Sequence, residues 1–270
     1  MCQGWGMSDV QGRPRSSMSV ERRYGIAISV ALILGGVYWA LTGLTEGTKS
    51  SQSSYPVQGG ALLVKGSSAS IEVRPGDGTE VRVDRQSERN VFGSDPKERY
   101  DQGDGKLELD SGGCGFLSFG CKTSYVLTVP RDVKLTVENS SGKVTVAGIE
   151  GGAVLKTSSA DIEVHDVGGP LELRSSSGDV EGDGLTATSV TTHSSSGSVA
   201  LDFTVAPQTV DAKTSSGDVD IRIPSGTESY KVDTDTSSGD ESANVKIDPN
   251  ATRTIRAKTS SGDVSIEYSH

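Results

Sequence analysis

The chain has 270 residues, which allows one or two domains, and carries a formal net charge of −10 at pH 7. This acidic excess repels the phosphates of nucleic acids and argues against a nucleic-acid partner. Apolar residues make up 33% and aromatic residues 5%, which excludes a thick, aromatic-rich core. The composition therefore leaves disorder or an all-β fold with short strands and many turns.

The first predicted element is a membrane segment at 24–44, an uncharged apolar stretch of 21 residues. As a helix it is long enough to span about 30 Å of hydrocarbon. Because Arg22 and Arg23 precede it, the positive-inside rule predicts a cytoplasmic tail at 1–23 and places the rest of the chain outside the cell membrane. A cleaved signal peptide is the alternative, and Met18 is an alternative start. Both interpretations export the remainder of the chain.

Two segments separate this stretch from the repeats. Residues 45–60 are rich in Ser and Gly, a composition that favours a flexible linker. Residues 61–134 contain alternating apolar pairs such as Leu107 and Leu109, which favour strands but follow no regular period. Since the terminal repeats of a solenoid are usually atypical, we expect this N-terminal β region to form a cap.

Two cysteines, Cys114 and Cys121, enclose a short apolar loop in the exported part. Outside the cytosol, paired cysteines most often form a disulfide, so the sequence predicts a Cys114–Cys121 bridge at a hairpin tip. The apolar tip is expected to pack on the solenoid, and the alternative is an exposed contact patch. A metal site would need further ligands, and the sequence offers none nearby.

The tripeptide Ser-Ser-Gly or Ser-Ser-Ala recurs eight times, and from Ser141 onward its spacing is 18 to 23 residues. Apolar residues recur six and four positions before the second serine and three and five positions after it, with Thr192, Thr234, Gly182, Glu241 and Ala243 as exceptions. This alternation predicts a strand, a corner and a second strand in each copy. Residues 135–270 are therefore predicted to form a β-solenoid, a parallel stack of coils whose final edges lie near Ile266. An antiparallel sandwich is the structural alternative.

Three copies carry the motifs SSSGDV (175–180) and TSSGDV (214–219 and 259–264), and YVLTVP (125–130) ends a predicted strand. In these motifs the chain resembles a bacterial family of putative adhesins of unknown function, over roughly 60–270. The resemblance implies an N-terminal anchor or signal, a β-solenoid-like domain and a surface protein without enzymatic activity. It supplies no catalytic residues.

The residue after the corner Gly or Ala is acidic in most copies, so stacked coils would align an acidic ladder. Such a ladder could bind cations or basic partners. Asp also bonds backbone N–H groups in turns, and we favour this structural role. A calcium ion needs 6–8 converging oxygens, which a single column rarely offers. The ladder consists of Asp161, Asp179, Asp218, Asp240 and Asp263.

No catalytic or cofactor motif emerges from the sequence, and the chain has no Trp after Trp39 to stack on sugars. We therefore expect a single-pass protein of the cell envelope that displays a non-catalytic, adhesin-like β-solenoid. Its expected partner is an envelope polymer or another surface protein, held by many weak contacts. Two alternatives are a polysaccharide-active β-helix enzyme and a component of an envelope-stress sensor.

Overall fold

A computed structural model of the chain describes residues 47–57, 59–89, 95–112 and 122–269. Within these ranges no helix is long and apolar enough to cross a membrane. The predicted cytoplasmic tail and membrane segment lie outside the described residues, so both stay predictions.

The described residues form strands connected by turns and contain no helix. In chain order the strands are β1 (Gly47–Pro56), β2 (Ala61–Gly66), β3 (Ser70–Gly76), β4 (Glu80–Arg89), β5 (Lys97–Asp101), β6 (Lys106–Asp110), β7 (Lys122–Pro130), β8 (Lys134–Asn139), β9 (Val144–Ala147), β10 (Ala153–Thr157), β11 (Ile162–His165), β12 (Pro170–Arg174), β13 (Val180–Leu185), β14 (Ser189–His193), β15 (Val199–Phe203), β16 (Thr209–Lys213), β17 (Val219–Ile223), β18 (Tyr230–Asp235), β19 (Glu241–Ala243), β20 (Arg253–Lys258) and β21 (Val264–Tyr268).

The strands form two sheets. Their order is β1-β4-β7-β3-β9-β11-β13-β15-β17-β21-β19 in sheet A and β18-β20-β16-β14-β12-β10-β8-β2-β6-β5 in sheet B. From β8 to β17 the chain alternates between the sheets, so each repeat contributes one strand to each. Neighbouring strands in this stretch pair in parallel. The predicted all-β stack of parallel strands is therefore confirmed, and an antiparallel sandwich is wrong for the repeats.

The apolar positions of the repeats form continuous buried ladders. Neighbouring strands of a sheet lie about 4.8 Å apart, so each side chain packs on its equivalents in the coils on either side. This arrangement explains how a chain with few apolar residues builds a core. One ladder of sheet A, with every side chain at most 1% exposed, consists of Ile71, Val144, Ile162, Val180, Val199, Val219 and Val264.

Gly182 interrupts the neighbouring apolar ladder of sheet A. The register between β13 and β15 shifts between Gly182 and Leu185, which marks a β-bulge. A Cβ atom on Gly182 would lie 2.9 Å from Cδ1 of Leu185. The buried Leu185 side chain therefore fills the space that a larger residue at position 182 would occupy.

The last two coils are stacked out of chain order. Strands β20 and β21 lie between β16/β17 and β18/β19, so the coil at Ser238 ends the stack and the C-terminal coil lies inside it. The prediction of open edges near Ile266 is therefore wrong, because β19 pairs with β21 there. The same placement explains why Glu241 and Ala243 break the apolar pattern. They occupy ladder positions in the terminal coil, where a buried Val or Ile would lose its cover on one side.

The predicted flexible linker at 45–60 is wrong for most of its length. Gly47–Pro56 form β1, which pairs antiparallel with β4 over all ten residues. Backbone hydrogen bonds to β4 order this Ser-rich segment, although its composition alone favours flexibility. The rings of Tyr55 in β1 and Tyr100 in β5 stack with centroids 4.9 Å apart and connect the edges of the two sheets.

Residues 61–134 combine two kinds of strand pairing. β2 and β3 continue the parallel stacks beside β8 and β9. β4 pairs antiparallel with β7, and β5 pairs antiparallel with β6. The parallel stack therefore starts within this region, and the strands around it depart from the repeat.

Candidate functional site

A buried ladder of hydroxyl groups holds the Ser-Ser-Gly corners together. The Thr214 hydroxyl donates a hydrogen bond to the Gly197 carbonyl at 2.8 Å, and the Thr259 hydroxyl donates to the Gly217 carbonyl at 2.9 Å. Each bond connects a corner to the adjacent coil, so the hydroxyls satisfy carbonyls that the turn leaves free. The buried hydroxyl residues of this ladder are Thr157, Ser175, Ser194, Thr214 and Thr259, and the Asn139 side-chain amide occupies the equivalent position in its coil.

Glycine follows the serines because the corners of adjacent coils approach closely. A Cβ atom on Gly217 would lie 2.6 Å from the Gly197 carbonyl oxygen, and one on Gly178 would overlap the Ala160 carbonyl oxygen. The φ angle of 141° at Gly217 is also one that side-chain-bearing residues rarely adopt. The close approach and the backbone angles fix the conformation of each corner, and this conformation determines where the residue after the glycine lies.

The predicted acidic ladder lies at that next position, on the surface. The Asp161 carboxylate accepts a hydrogen bond from the Asp179 backbone N–H at 3.1 Å. Asp218 accepts from the N–H of Asp263 at 2.8 Å, and Asp263 accepts from the N–H of Asp240 at 2.8 Å. The spatial order differs from the chain order because the C-terminal coil is inserted. These bonds connect adjacent coils and join residues 18 to 45 positions apart in the chain, whereas the sequence favoured bonds to backbone N–H groups within the same turn.

The ladder forms one margin of a larger charged surface, which we call the acidic face. It comprises the outward-pointing residues of the parallel strands β3 to β19 of sheet A and their corner residues. Three cations occur on it, and each is paired with a glutamate: Arg74 with Glu72, Lys143 with Glu163 and Arg222 with Glu267. Twelve carboxylates occur on it, namely Glu72, Asp161, Glu163, Asp179, Glu181, Asp183, Asp202, Asp218, Asp220, Asp240, Asp263 and Glu267.

The outward surface of sheet B is different because it carries more cations than carboxylates. Over its parallel strands β2 to β18, eight cations face five carboxylates. Many form ion pairs, including Lys65 with Glu138 at 2.8 Å and Arg256 with Asp233 at 3.0 Å. The negative excess of the stacked repeats is therefore concentrated on sheet A.

A shallow concavity of about 200 Å³ lies within the acidic face. Its floor includes Ala200, which the register places between Glu181 and Asp220 on the neighbouring strands. Burial, followed by the nearby Asp218 carboxylate, raises the pKa of Asp220. Arg222, which is paired with Glu267, also lines the concavity, so a further cation placed here would meet four carboxylates, one paired guanidinium and a small apolar floor.

The acidic face as a whole was not predicted from the sequence. The predicted ladder covered only the corner residues, whereas Glu181, Asp183 and Asp220 lie further along the strands. Their signal is alternation: these acidic residues occupy the positions between buried apolar residues in strands β13 and β17. Assembling them into one surface requires the register between strands, which one sequence does not supply.

The structure does not test the remaining predicted site. Cys114 and Cys121 lie outside the described residues, so their disulfide stays a prediction. In the part of the chain that the structure describes, no group of three or more His, Cys, Asp or Glu side chains could hold a metal ion.

Comparison with known proteins identifies the family of the solenoid. No curated protein matches the chain. A solved structure of "a putative cell adhesion protein" from Clostridium sporogenes is similar, at 10% identity and a TM-score of 0.37, over 83% of this chain and 100% of its own. A "putative adhesin" from Bacteroides fragilis is similar at 13% identity and a TM-score of 0.35, over 82% of this chain and 97% of its own. The family described as Toastrack DUF4097 matches residues 61–270. The chain therefore belongs to the Toastrack DUF4097 family.

Proposed function

We propose that this chain is a membrane-anchored, extracytoplasmic binding protein of the cell envelope, and that its acidic face attaches a basic partner without catalysis. The observation that carries the proposal is the charge distribution: twelve carboxylates against three cations on the acidic face, whereas cations outnumber carboxylates eight to five on the outward surface of sheet B. A basic protein surface or a cationic envelope polymer matches this surface.

The rigid stack suits attachment through many weak contacts. An ion pair exposed to solvent contributes about 0.2–1 kcal/mol, so one pair binds little. Carboxylates repeated at each coil, about 4.8 Å apart, allow several pairs to form at once with an extended partner. Glu181 and Asp220 flank the concavity at Ala200, where a lysine or arginine side chain of the partner would fit.

The proposed site is tested by charge removal on either side of the molecule. The probe is a deca-lysine peptide, with the full chain in detergent micelles and affinity measured by calorimetry. Replacing three carboxylates (Glu181→Gln, Asp183→Asn, Asp220→Asn) should weaken binding about tenfold. The matched control changes the net charge equally on sheet B (Glu172→Gln, Asp211→Asn, Asp235→Asn) and should change affinity less than twofold. Equal losses in both variants would contradict the proposal.

The proposed location rests on the apolar segment 24–44 and the arginines before it. Protease added to intact bacterial protoplasts should digest a tag placed after the last residue and spare a tag placed before the first. The chain should also remain in the membrane fraction after washing with high salt. Release of the tagged chain into the medium would instead indicate cleavage of the segment.

A further inference from the structure

Each sheet of a solenoid ends in two edge strands. In this chain they are β1 and β19 in sheet A and β5 and β18 in sheet B. An edge strand presents unpaired backbone N–H and C=O groups, which another strand can bind. Short length and charged side chains are the usual protection against such pairing.

Three of the four edges carry this protection. β5 has the sequence KERYD, in which four of five residues are charged, and β18 has YKVDTD, in which three of six are charged. β19 has only three residues. Its Glu241 carboxylate folds back to accept a hydrogen bond from the backbone N–H of Thr236 at 3.1 Å.

The fourth edge, β1, lacks these features. It is ten residues long, has the sequence GTKSSQSSYP with one charged residue, and follows β4 without a bulge. The Val57 N–H donates to the Thr79 carbonyl at 3.0 Å. Since antiparallel strands alternate in their bonding, the backbone groups of Ser50, Gln52 and Ser54 point away from β4. No described strand pairs with this edge.

The open part of the edge has a defined end. The Tyr100 hydroxyl donates a hydrogen bond to the Pro56 carbonyl. This carbonyl is the next backbone group after Ser54 that points away from β4, so it already has a partner. Between residues 50 and 56, the backbone groups with no partner among the described residues are therefore those at 50, 52 and 54, and their side chains are uncharged and exposed.

We propose that β1 pairs antiparallel with β1 of a second copy, which joins the two A sheets across a two-fold axis. With the register centred on Gln52, this residue faces the partner's Gln52, and Ser50 faces the partner's Ser54. Each facing pair exchanges two N–H···O bonds, so every free backbone group from 50 to 54 finds a partner. A second copy fits because the same uncharged segment meets itself, and no like charges oppose one another at these positions.

Cysteine cross-linking tests both the pairing and its register in the full chain, in detergent micelles under mild oxidation. Hydrogen-bonded antiparallel partners have Cα atoms about 5.5 Å apart, which suits a disulfide. The variant Gln52→Cys should form at least tenfold more disulfide-linked dimer than the wild-type chain, whose own cysteines set the background. Ser54→Cys alone should stay at background because its partner position is 50. A mixture of Ser50→Cys and Ser54→Cys chains should cross-link as a heterodimer.

In the wild-type chain and the cysteine variants, two results would overturn the proposal. One is equal cross-linking of Gln52→Cys and Ser54→Cys, which would indicate random collision. The other is a monomer in analytical ultracentrifugation of the wild-type chain together with background cross-linking of Gln52→Cys. An edge-blocking variant (Ser50→Lys with Ser54→Lys) replaces only exposed side chains and should shift the wild-type dimer to monomer while its thermal melt is retained. A dimer that survives this change would also overturn the proposal.

Discussion

The Asp218 carboxylate accepts a hydrogen bond from the Asp263 backbone N–H at 2.8 Å, although 45 residues separate them in the chain. Asp240 lies between them in sequence but beyond both in space, where its N–H donates to Asp263. One column of carboxylates therefore connects coils whose spatial order differs from their chain order. The hydrogen bonds of this column connect adjacent coils, and its exposed carboxylates also contribute to the acidic face.

Removal of this contact should destabilise the C-terminal coil. Asp218→Ala leaves the Asp263 N–H without its carboxylate partner, and the expected loss is about 1 kcal/mol in the free energy of unfolding. Asp183→Ala is the matched control, since it removes an equal charge from an exposed residue of the same face. Urea unfolding measures both, and an equal loss in the two variants would show that charge alone matters.

Two threonines that are buried in the repeats should respond in opposite ways to loss of the hydroxyl. The Thr192 hydroxyl has no hydrogen-bond partner, whereas the Thr214 hydroxyl donates to Gly197 at 2.8 Å. Thr192→Val should raise the free energy of unfolding by about 1 kcal/mol, because an unpaired buried hydroxyl is costly. Thr214→Val should lower it by about 1 kcal/mol. Changes of the same sign in both variants would contradict this account.

The close approach at the corners predicts a large effect for a single methyl group. In Gly217→Ala the new Cβ atom would meet the Gly197 carbonyl oxygen at 2.6 Å, so the coils must separate locally. We expect a loss of about 1–3 kcal/mol, seen as a lower midpoint of thermal unfolding. Gly103→Ala is the control, because its nearest neighbour would lie at 3.4 Å. A tolerated Gly217→Ala would show that the corner spacing is adjustable.

Asp220 gives the acidic face a pH dependence with a defined sign. Burial and the Asp218 carboxylate raise its pKa in the folded protein above the ordinary value of 3.8. The folded state thus binds more protons than the unfolded state between the two pKa values, and stability falls as pH rises through that window. The destabilisation is complete above the folded-state pKa and absent below 3.8.

Asp220→Asn should therefore stabilise the chain at pH 7 by about 0.5 kcal/mol or less, because the side chain is only partly desolvated and solvent screens its charge. The gain should vanish near pH 3, where the wild-type carboxyl is protonated. Urea midpoints at the two pH values measure the difference. A gain that persists unchanged at pH 3 would assign it to a cause other than ionisation.

The sequence predicted the features of the fold that are determined within a single repeat. Alternation around Ser177 and Ser216 predicted two strands and a corner. Apolar ladders then required parallel stacking, because one coil cannot cover its own core face. These features follow from neighbouring residues, and the structure has them.

The sequence did not predict which coils or strands lie next to one another when several similar partners are available. Copies at Ser238 and Ser261 share the corner sequence TSSGD, so the motif does not say which one ends the stack. Glu241 was the available signal, because a charged residue on a core ladder suits a terminal coil. β1 was missed because its order comes from β4, a distant strand, and its own composition favours flexibility.

The central claim, that the acidic face binds a basic partner, is tested most directly by labelling carboxylates with carbodiimide and a glycine ester in the wild-type full chain. Labelling with and without an N-acetylated deca-arginine peptide, whose guanidinium groups do not react with activated carboxylates, is compared by mass spectrometry. The account predicts protection of Glu181, Asp183 and Asp220 and unchanged labelling of Glu172 and Asp235 on sheet B. Equal protection of both surfaces, or protection of sheet B alone, would contradict it.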